Sequence, residues 1–212
     1  MKDFPIFDTE FGIASLILKE IPYKGIAYIT LREVWDPEQL LKECVSFCRM
    51  CGAEEIYATG HESLEAYPLY NIILRMCGEA RVDADGLESL FPVTEATVTR
   101  WREIHNEKMR AVPNAATMTS KDEKNILESG GAYFVHRQGE LLGIGWLRDT
   151  ELCAIAAVKP GMGWKVMNTM MSLVEGAQLE LQVASTNEKA IRLYEKMGFL
   201  KTGERSRWYK VL

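Results

Sequence analysis

The spacing of apolar residues changes period several times along the chain, and each change marks an element. Residues 26–33 (Ile-Ala-Tyr-Ile-Thr-Leu-Arg-Glu) alternate in the manner of a strand. The period then lengthens. Leu40, Leu41, Cys44, Val45, Phe47, Cys48 and Cys51 fall at helical spacing, giving a helix over about 37–51. Asp36-Pro37 is a good helix start and Gly52 a natural stop. A second strand is predicted at Glu55–Thr59 and a second helix over 66–77, ended by Gly78. Strand, helix, strand, helix implies parallel pairing through crossover helices. Residues before 26 read as a short leading segment.

From Leu87 onward the pattern is richer. A helix is predicted over about 95–109, with Val98, Trp101 and His105 on one side. Ser120-Lys121-Asp122-Glu123 reads as a capping box with Ser120 as cap, opening a helix that ends at Gly130-Gly131. The runs 132–137, 141–147 and 151–158 read as strands, and turns as short as Gln138-Gly139 and Arg148-Asp149-Thr150 make them an antiparallel meander. Lys159-Pro160-Gly161-Met162-Gly163 leads into a helix over about 164–175, then a strand at 178–184. Ser185-Thr186-Asn187-Glu188 reads as another capping box, for a helix that stops at Gly198. A last strand pair, about 199–203 and 206–211, closes the chain. The halves share punctuation: Gly52-Ala53 with Gly176-Ala177, and Cys77-Gly78 with Met197-Gly198. This predicts a degenerate internal repeat, set against the plainer reading that glycine commonly ends helices. The division into domains is 1–86, a smaller α/β unit, and 87–212.

Composition narrows the class. With 47% apolar and 26% charged residues the chain can bury a core. No apolar run approaches the length of a membrane span. Met1-Lys2-Asp3-Phe4-Pro5 lacks the basic-then-apolar pattern of a secretory signal, so a cytoplasmic protein is expected. A net charge of −5 argues against nucleic-acid binding and leans weakly towards a cationic substrate. Five cysteines, an odd number, read as reduced thiols. Cys44-x3-Cys48-x2-Cys51 has the spacing of an iron–sulfur loop, but it lies within a helical pattern, where cysteine acts as a small core side chain. His61, His105 and His136 are scattered, and no metal is expected.

The last quarter carries the chemistry. A glycine-containing turn between a strand and a helix offers backbone N–H groups to an anion. Downstream, Asn187-Glu188-Lys189-Ala190-Ile191-Arg192-Leu193-Tyr194-Glu195-Lys196-Met197-Gly198-Phe199 combines a helix cap, a small residue, a phenol and a glycine stop. This segment resembles the signature Asn-x-x-Ala-x-x-x-Tyr-x-x-x-Gly-Phe of the GNAT superfamily of N-acetyltransferases. The resemblance covers about 88–212. It implies a mixed α/β fold, the acyl-CoA N-acyltransferase fold, complete at the C-terminus and preceded by a smaller, degenerate unit. The family's loop is longer: here Pro160 is followed directly by Gly161, so about three residues, an Arg or Gln among them, are absent.

The resemblance implies direct transfer of an acetyl group from acetyl-CoA to a primary amine on a small molecule or peptide. Tyr194 would be the general acid. Ala157 or Val158 would offer an N–H to the thioester carbonyl. Gly161, Met162, Gly163, Trp164 and Lys165 would meet the pyrophosphate, with Lys165 as a point charge, and Asn187 would bond the pantetheine arm or the helix-entry backbone. Glu151 is the candidate general base, ahead of Glu180 and His136. The alternative is a non-catalytic acyl-CoA-binding or protein-interaction module with a degenerate phosphate loop. Monomer and homodimer both fit the sequence.

Overall fold

The computed structural model describes residues 5–212. Contacts divide the chain into two units. One runs to Ile73 and takes back Glu204–Leu212, and the other is Leu74–Gly203. The sequence division at 86/87 therefore falls inside the second unit.

The first unit holds β1 (Ile6–Thr9), β2 (Gly12–Ile17), a single turn α1 (Ile21–Lys24), β3 (Ile26–Val34), α2 (Pro37–Met50) and β4 (Glu55–Thr59). The leading segment is thus a hairpin rather than a bare extension, with Ile6 opposite Ser15 and Thr9 opposite Gly12. β2 continues antiparallel onto β3, and β3 runs parallel to β4 over Ile26↔Glu55 to Thr30↔Thr59. The predicted helix over 37–51 forms: the Asp36 carboxylate accepts the Gln39 N–H at 3.1 Å. Leu40, Leu41, Cys44 and Cys48 are buried with Leu16, Ile29, Leu31, Ile56 and Ala58. Cys44 and Cys48 are core side chains, and burial pushes the Cys44 thiol up to about 12 and the Cys48 thiol to about 11.

The helix predicted over 66–77 does not form. One 3-10 turn at Glu62–Ala66 is followed by β5 (Leu69–Glu79), a strand. Pro68 blocks helix continuation, and the run Tyr70-Asn71-Ile72-Ile73 favours extended backbone. Gly78 consequently ends no helix. A Cβ there would lie 2.8 Å from the Phe199 ring, so this glycine is a packing requirement. One of the two correspondences behind the proposed repeat is therefore lost.

The second unit takes the end of β5, then β6 (Ser89–Pro92), α3 (Val98–Met109), α4 (Ser120–Ser129), β7 (Ala132–Arg137), β8 (Glu140–Arg148) and β9 (Glu151–Ala157). α5 (Gly163–Met171), β10 (Gln178–Ala184), α6 (Glu188–Lys196) and the start of β11 (Leu200–Lys210) complete it. Its strand order is β6-β7-β8-β9-β10-β5-β11. The meander of β7, β8 and β9 is as the turn residues predict. α4 is capped by Thr119, one residue earlier than expected, through a capping box with Asp122. α6 is capped by Asn187, not by Ser185. The closing strand pair is one strand. Thr202 Oγ1 donates to Arg75 O at 3.4 Å, so β5 supplies the neighbour that a terminal hairpin would have supplied. Two cores form: Val166, Met167, Met170, Ile191 and Phe199 belong to one, and Val98, Trp101, Ile104, Phe134 and Ile144 to the other. Among the described residues no helix is long and apolar enough to cross a membrane.

Candidate functional site

β9 and β10 run parallel but pair over only two residues, Glu180↔Glu151 and Leu181↔Leu152, at the start of β9. Beyond Leu152 β9 stays paired with β8 alone, through Trp146↔Ala154 to Gly143↔Ala157. The two parallel strands therefore splay. Register along β8 shifts between Trp146↔Ala154 and Leu147↔Leu152, which leaves Cys153 as the extra residue of a bulge. Nothing in the local sequence announces it.

The splay leaves backbone groups without a ladder partner. Val158 N–H donates to Leu142 O at 2.8 Å. In an antiparallel pair, bonding direction alternates residue by residue, so the Ala157 and Ile155 groups point away from β8 into the splay. Of the two expected thioester donors, Ala157 keeps its N–H and Val158 has spent it.

At the mouth of the splay lies the glycine turn. Gly161 adopts φ +81°, the left-handed region, and a Cβ there would meet nothing within 4 Å. Gly163 serves a different end: its missing Cβ admits Leu193 of α6, which would otherwise stand at 3.2 Å. α5 begins with no side-chain cap and no acidic residue in its first turn. Met162 N–H closes a turn onto Lys159 O at 3.3 Å, while the N–H groups of Gly161, Gly163, Trp164 and Lys165 meet no backbone carbonyl among the described residues. Such a helix start attracts an anion through its open donors and its dipole.

The lysines beside it are engaged. Lys165 Nζ lies 2.9 Å from Glu88 Oε1, and Lys159 is bonded to Glu140. Lys165 thus faces a carboxylate rather than the loop, and the loop's positive potential comes from backbone. Segment 83–88 is fixed along α5. Asn168 and Asp83 exchange two hydrogen bonds of 2.9 Å, and Glu88 N–H donates to Thr169 Oγ1 at 3.2 Å. Trp164 lays its ring where a Gly86 Cβ would be. Beside it opens a cleft of about 240 Å³ whose lining includes Arg81 and Lys196.

Tyr194 is buried in the core cluster that also holds Leu181, Val183 and Phe199. Burial pushes its phenol up to about 12. The Asn187 side chain accepts Ala190 N–H at 3.4 Å, so it bonds the helix-entry backbone. Glu151 stands at the opposite end of β9 from the turn, roughly 20 Å away by strand rise. Its carboxylate is 2.5 Å from Arg148. Glu180 pairs with Arg75 at 3.3 Å, and His136 packs edge-on to Phe91. The structure therefore gathers Ala157 and the turn 161–165 at one end of the splay, and leaves Glu151 at the other.

No protein-family model matches the sequence, and no curated protein does. Solved structures do resemble it. A GCN5-related N-acetyltransferase from Kribbella flavida aligns with TM-score 0.59 at 14% identity, covering 99% of this chain and 90% of that one. A GNAT-family acetyltransferase from Colwellia psychrerythraea gives 0.53 at 13%, covering 97% and 84%. A conserved protein of unknown function from Staphylococcus epidermidis gives 0.58 at 11%, covering 99% and 94%. Splayed strands, an uncapped helix start between them and these alignments agree: the chain has the fold of the GCN5-related N-acetyltransferases.

Proposed function

We propose that the chain transfers an acetyl group from acetyl-CoA to a primary amine. The observation that carries this reading is the splay of β9 from β10 beside the open start of α5. A parallel pair that separates after two residues forfeits ladder hydrogen bonds, a cost that a bound arm with amide groups of its own would offset. The residues fit such a ligand. Ala157 and Ile155 offer backbone groups along the splay. The N–H groups of Gly161, Gly163, Trp164 and Lys165 suit a pyrophosphate, and Lys196 adds charge in the cleft beside Trp164, where Arg81 is paired with Glu79 at 3.2 Å.

Acetyl-CoA supplies an activated thioester carbonyl. The Ala157 N–H polarises that oxygen. Tyr194 holds its proton at every working pH, since its pKa is about 12. An ordinary thiol ionises near 8.5, so full transfer from Tyr194 to a departing thiolate is uphill. Tyr194 then acts mainly as a hydrogen-bond donor to sulfur, a sharper role than general acid. Deprotonation of the acceptor amine falls to Glu151 only through intervening water, given its distance from the turn and its Arg148 partner. The acceptor is a small-molecule or peptide amine.

Calorimetric titration with acetyl-CoA, followed by turnover on a panel of amines, tests the reading. Micromolar binding with acetylation supports it. Binding without turnover on any amine supports the acyl-CoA-binding module instead. No binding at millimolar acetyl-CoA overturns both.

A further inference from the structure

The backbone of segment 83–88 is fixed along α5 without help from the Glu88 side chain. Asn168 and Asp83 exchange two hydrogen bonds, and Glu88 N–H donates to Thr169 Oγ1. The Glu88 carboxylate does something else. Its side chain is 10% exposed, and Oε1 accepts from Lys165 Nζ at 2.9 Å. Lys165 and Thr169 are four residues apart, so they share one face of α5. Glu88 spans that turn, its N–H on Thr169 and its carboxylate on Lys165.

Met162 is the cap residue of α5, so Lys165 is the third residue of the helix. Helical side chains lean towards the N-terminus, and the lysine stem is flexible. The ammonium therefore lies within a swing of the open N–H groups at 161–165. Leaving a buried carboxylate bare would be costly. Glu88 is spared that cost, because Arg137 Nε stands 3.9 Å from the same oxygen, on a side chain that is 54% exposed. Lys165 can depart while a cation stays with Glu88. Lys159, bonded to Glu140 among half-exposed side chains, has no such arrangement. We infer that Glu88 is a gate on the anion site: it holds Lys165 off the start of α5, and the pyrophosphate of an acyl-CoA draws the ammonium across, leaving Glu88 to Arg137. Glu88 is thus a positioning residue that sets acyl-CoA affinity through Lys165. The inference rests on the acyl-CoA reading above and adds regulation to that same site.

The test titrates CoA calorimetrically into the full chain at one low ionic strength, for wild type, Glu88→Gln, Lys165→Met and the double variant. Glu88→Gln keeps the side chain's shape and the backbone bond to Thr169, and should bind CoA about tenfold more tightly. Lys165→Met should bind about tenfold more weakly. The double variant separates hand-over from simple repulsion. Hand-over predicts that it binds within about twofold of Lys165→Met, because the gain from Glu88→Gln works through Lys165. Repulsion by Glu88 alone predicts a return to wild-type affinity or better, and that result overturns the inference. Unchanged affinity in Glu88→Gln also overturns it and leaves the ion pair a structural fastening, which a lowered unfolding temperature would report. Arg137→Met is the gentler check. It should weaken CoA about twofold with Glu88 in place and have no effect in Glu88→Gln. An equal effect in both would overturn the part given to Arg137. Failure of the wild-type chain to bind millimolar CoA sinks the acyl-CoA reading and the gate together. Binding by wild type with no difference among the variants sinks the gate alone.

Discussion

The chain contains the same supersecondary unit twice, and the two copies are finished in opposite ways. β3–α2–β4 is closed: its parallel strands pair over five consecutive residues, Ile26↔Glu55 to Thr30↔Thr59. Its helix starts with an Asp36 cap, Pro37 and Glu38 in the first turn. β9–α5–β10 is open: its strands pair over two residues and its helix has neither cap nor acid. A capped start spends the donors and dipole that an anion needs. An uncapped one gives up local stability and keeps those donors available. The buried tyrosines differ in the same sense. Burial, then the 2.8 Å bond to Glu55, pushes the Tyr57 phenol far up. Burial alone raises Tyr194. One fold thus yields a scaffold and a candidate site, according to how its polar groups are satisfied.

The sharpest way to break this contrast is to finish α5 as α2 is finished. Met162→Asp puts a carboxylate at the cap position of α5. The helix should gain about 1 kcal/mol from its new cap. CoA affinity should fall roughly a thousandfold, because a like charge then faces the pyrophosphate and a donor is consumed. Thermal unfolding and calorimetry on one sample read both signs. A variant that is more stable and binds CoA as before would remove α5 from the site.

Tyr194 gives the next largest effect. Its folded-state pKa, raised from 10 to about 12, means its contribution to stability is complete below pH 10 and is lost as pH rises through 12. The loss is about 3 kcal/mol at full titration. Tyr194→Phe should remove that increment, so denaturant midpoints of the two proteins should diverge between pH 10 and 12. The same variant should keep CoA affinity and lose about thirtyfold in turnover, below the range of a full general acid because the phenol and thiol are mismatched. A turnover limb that follows the phenol below pH 11 would show a group far less buried than this one.

Reading the sequence found one side of the contrast better than the other. The α5 and α6 segments were legible because their signals are local: Pro160 to Gly163, the Asn187 cap and the Tyr194 spacing all lie within a few turns of helix. The splay was not, since it is a property of which backbone groups go unpaired across β9 and β10. β5 was missed for a related reason. Leu69, Tyr70, Ile72, Ile73 and Leu74 form a nearly continuous apolar run, which periodicity alone cannot assign to strand or helix. The closing hairpin failed because β5, more than 120 residues earlier, stands where a return strand was expected.

The smallest effect tests the closed copy. Asp36→Ala removes the α2 cap, which leaves the Gln39 N–H without its 3.1 Å partner. The cost should be about 1 kcal/mol of global stability, the usual price of a lost cap. CoA should still bind once per chain, with unchanged affinity, because the zipped β3–β4 pair offers a pantetheine arm no open backbone whether or not α2 is capped. Calorimetric stoichiometry decides the matter. A second equivalent of CoA in the Asp36→Ala protein would mean that the cap alone closes the first copy, and that strand pairing gives way once the helix start is free. One equivalent would mean that the splay, not the helix terminus, makes the difference between scaffold and site.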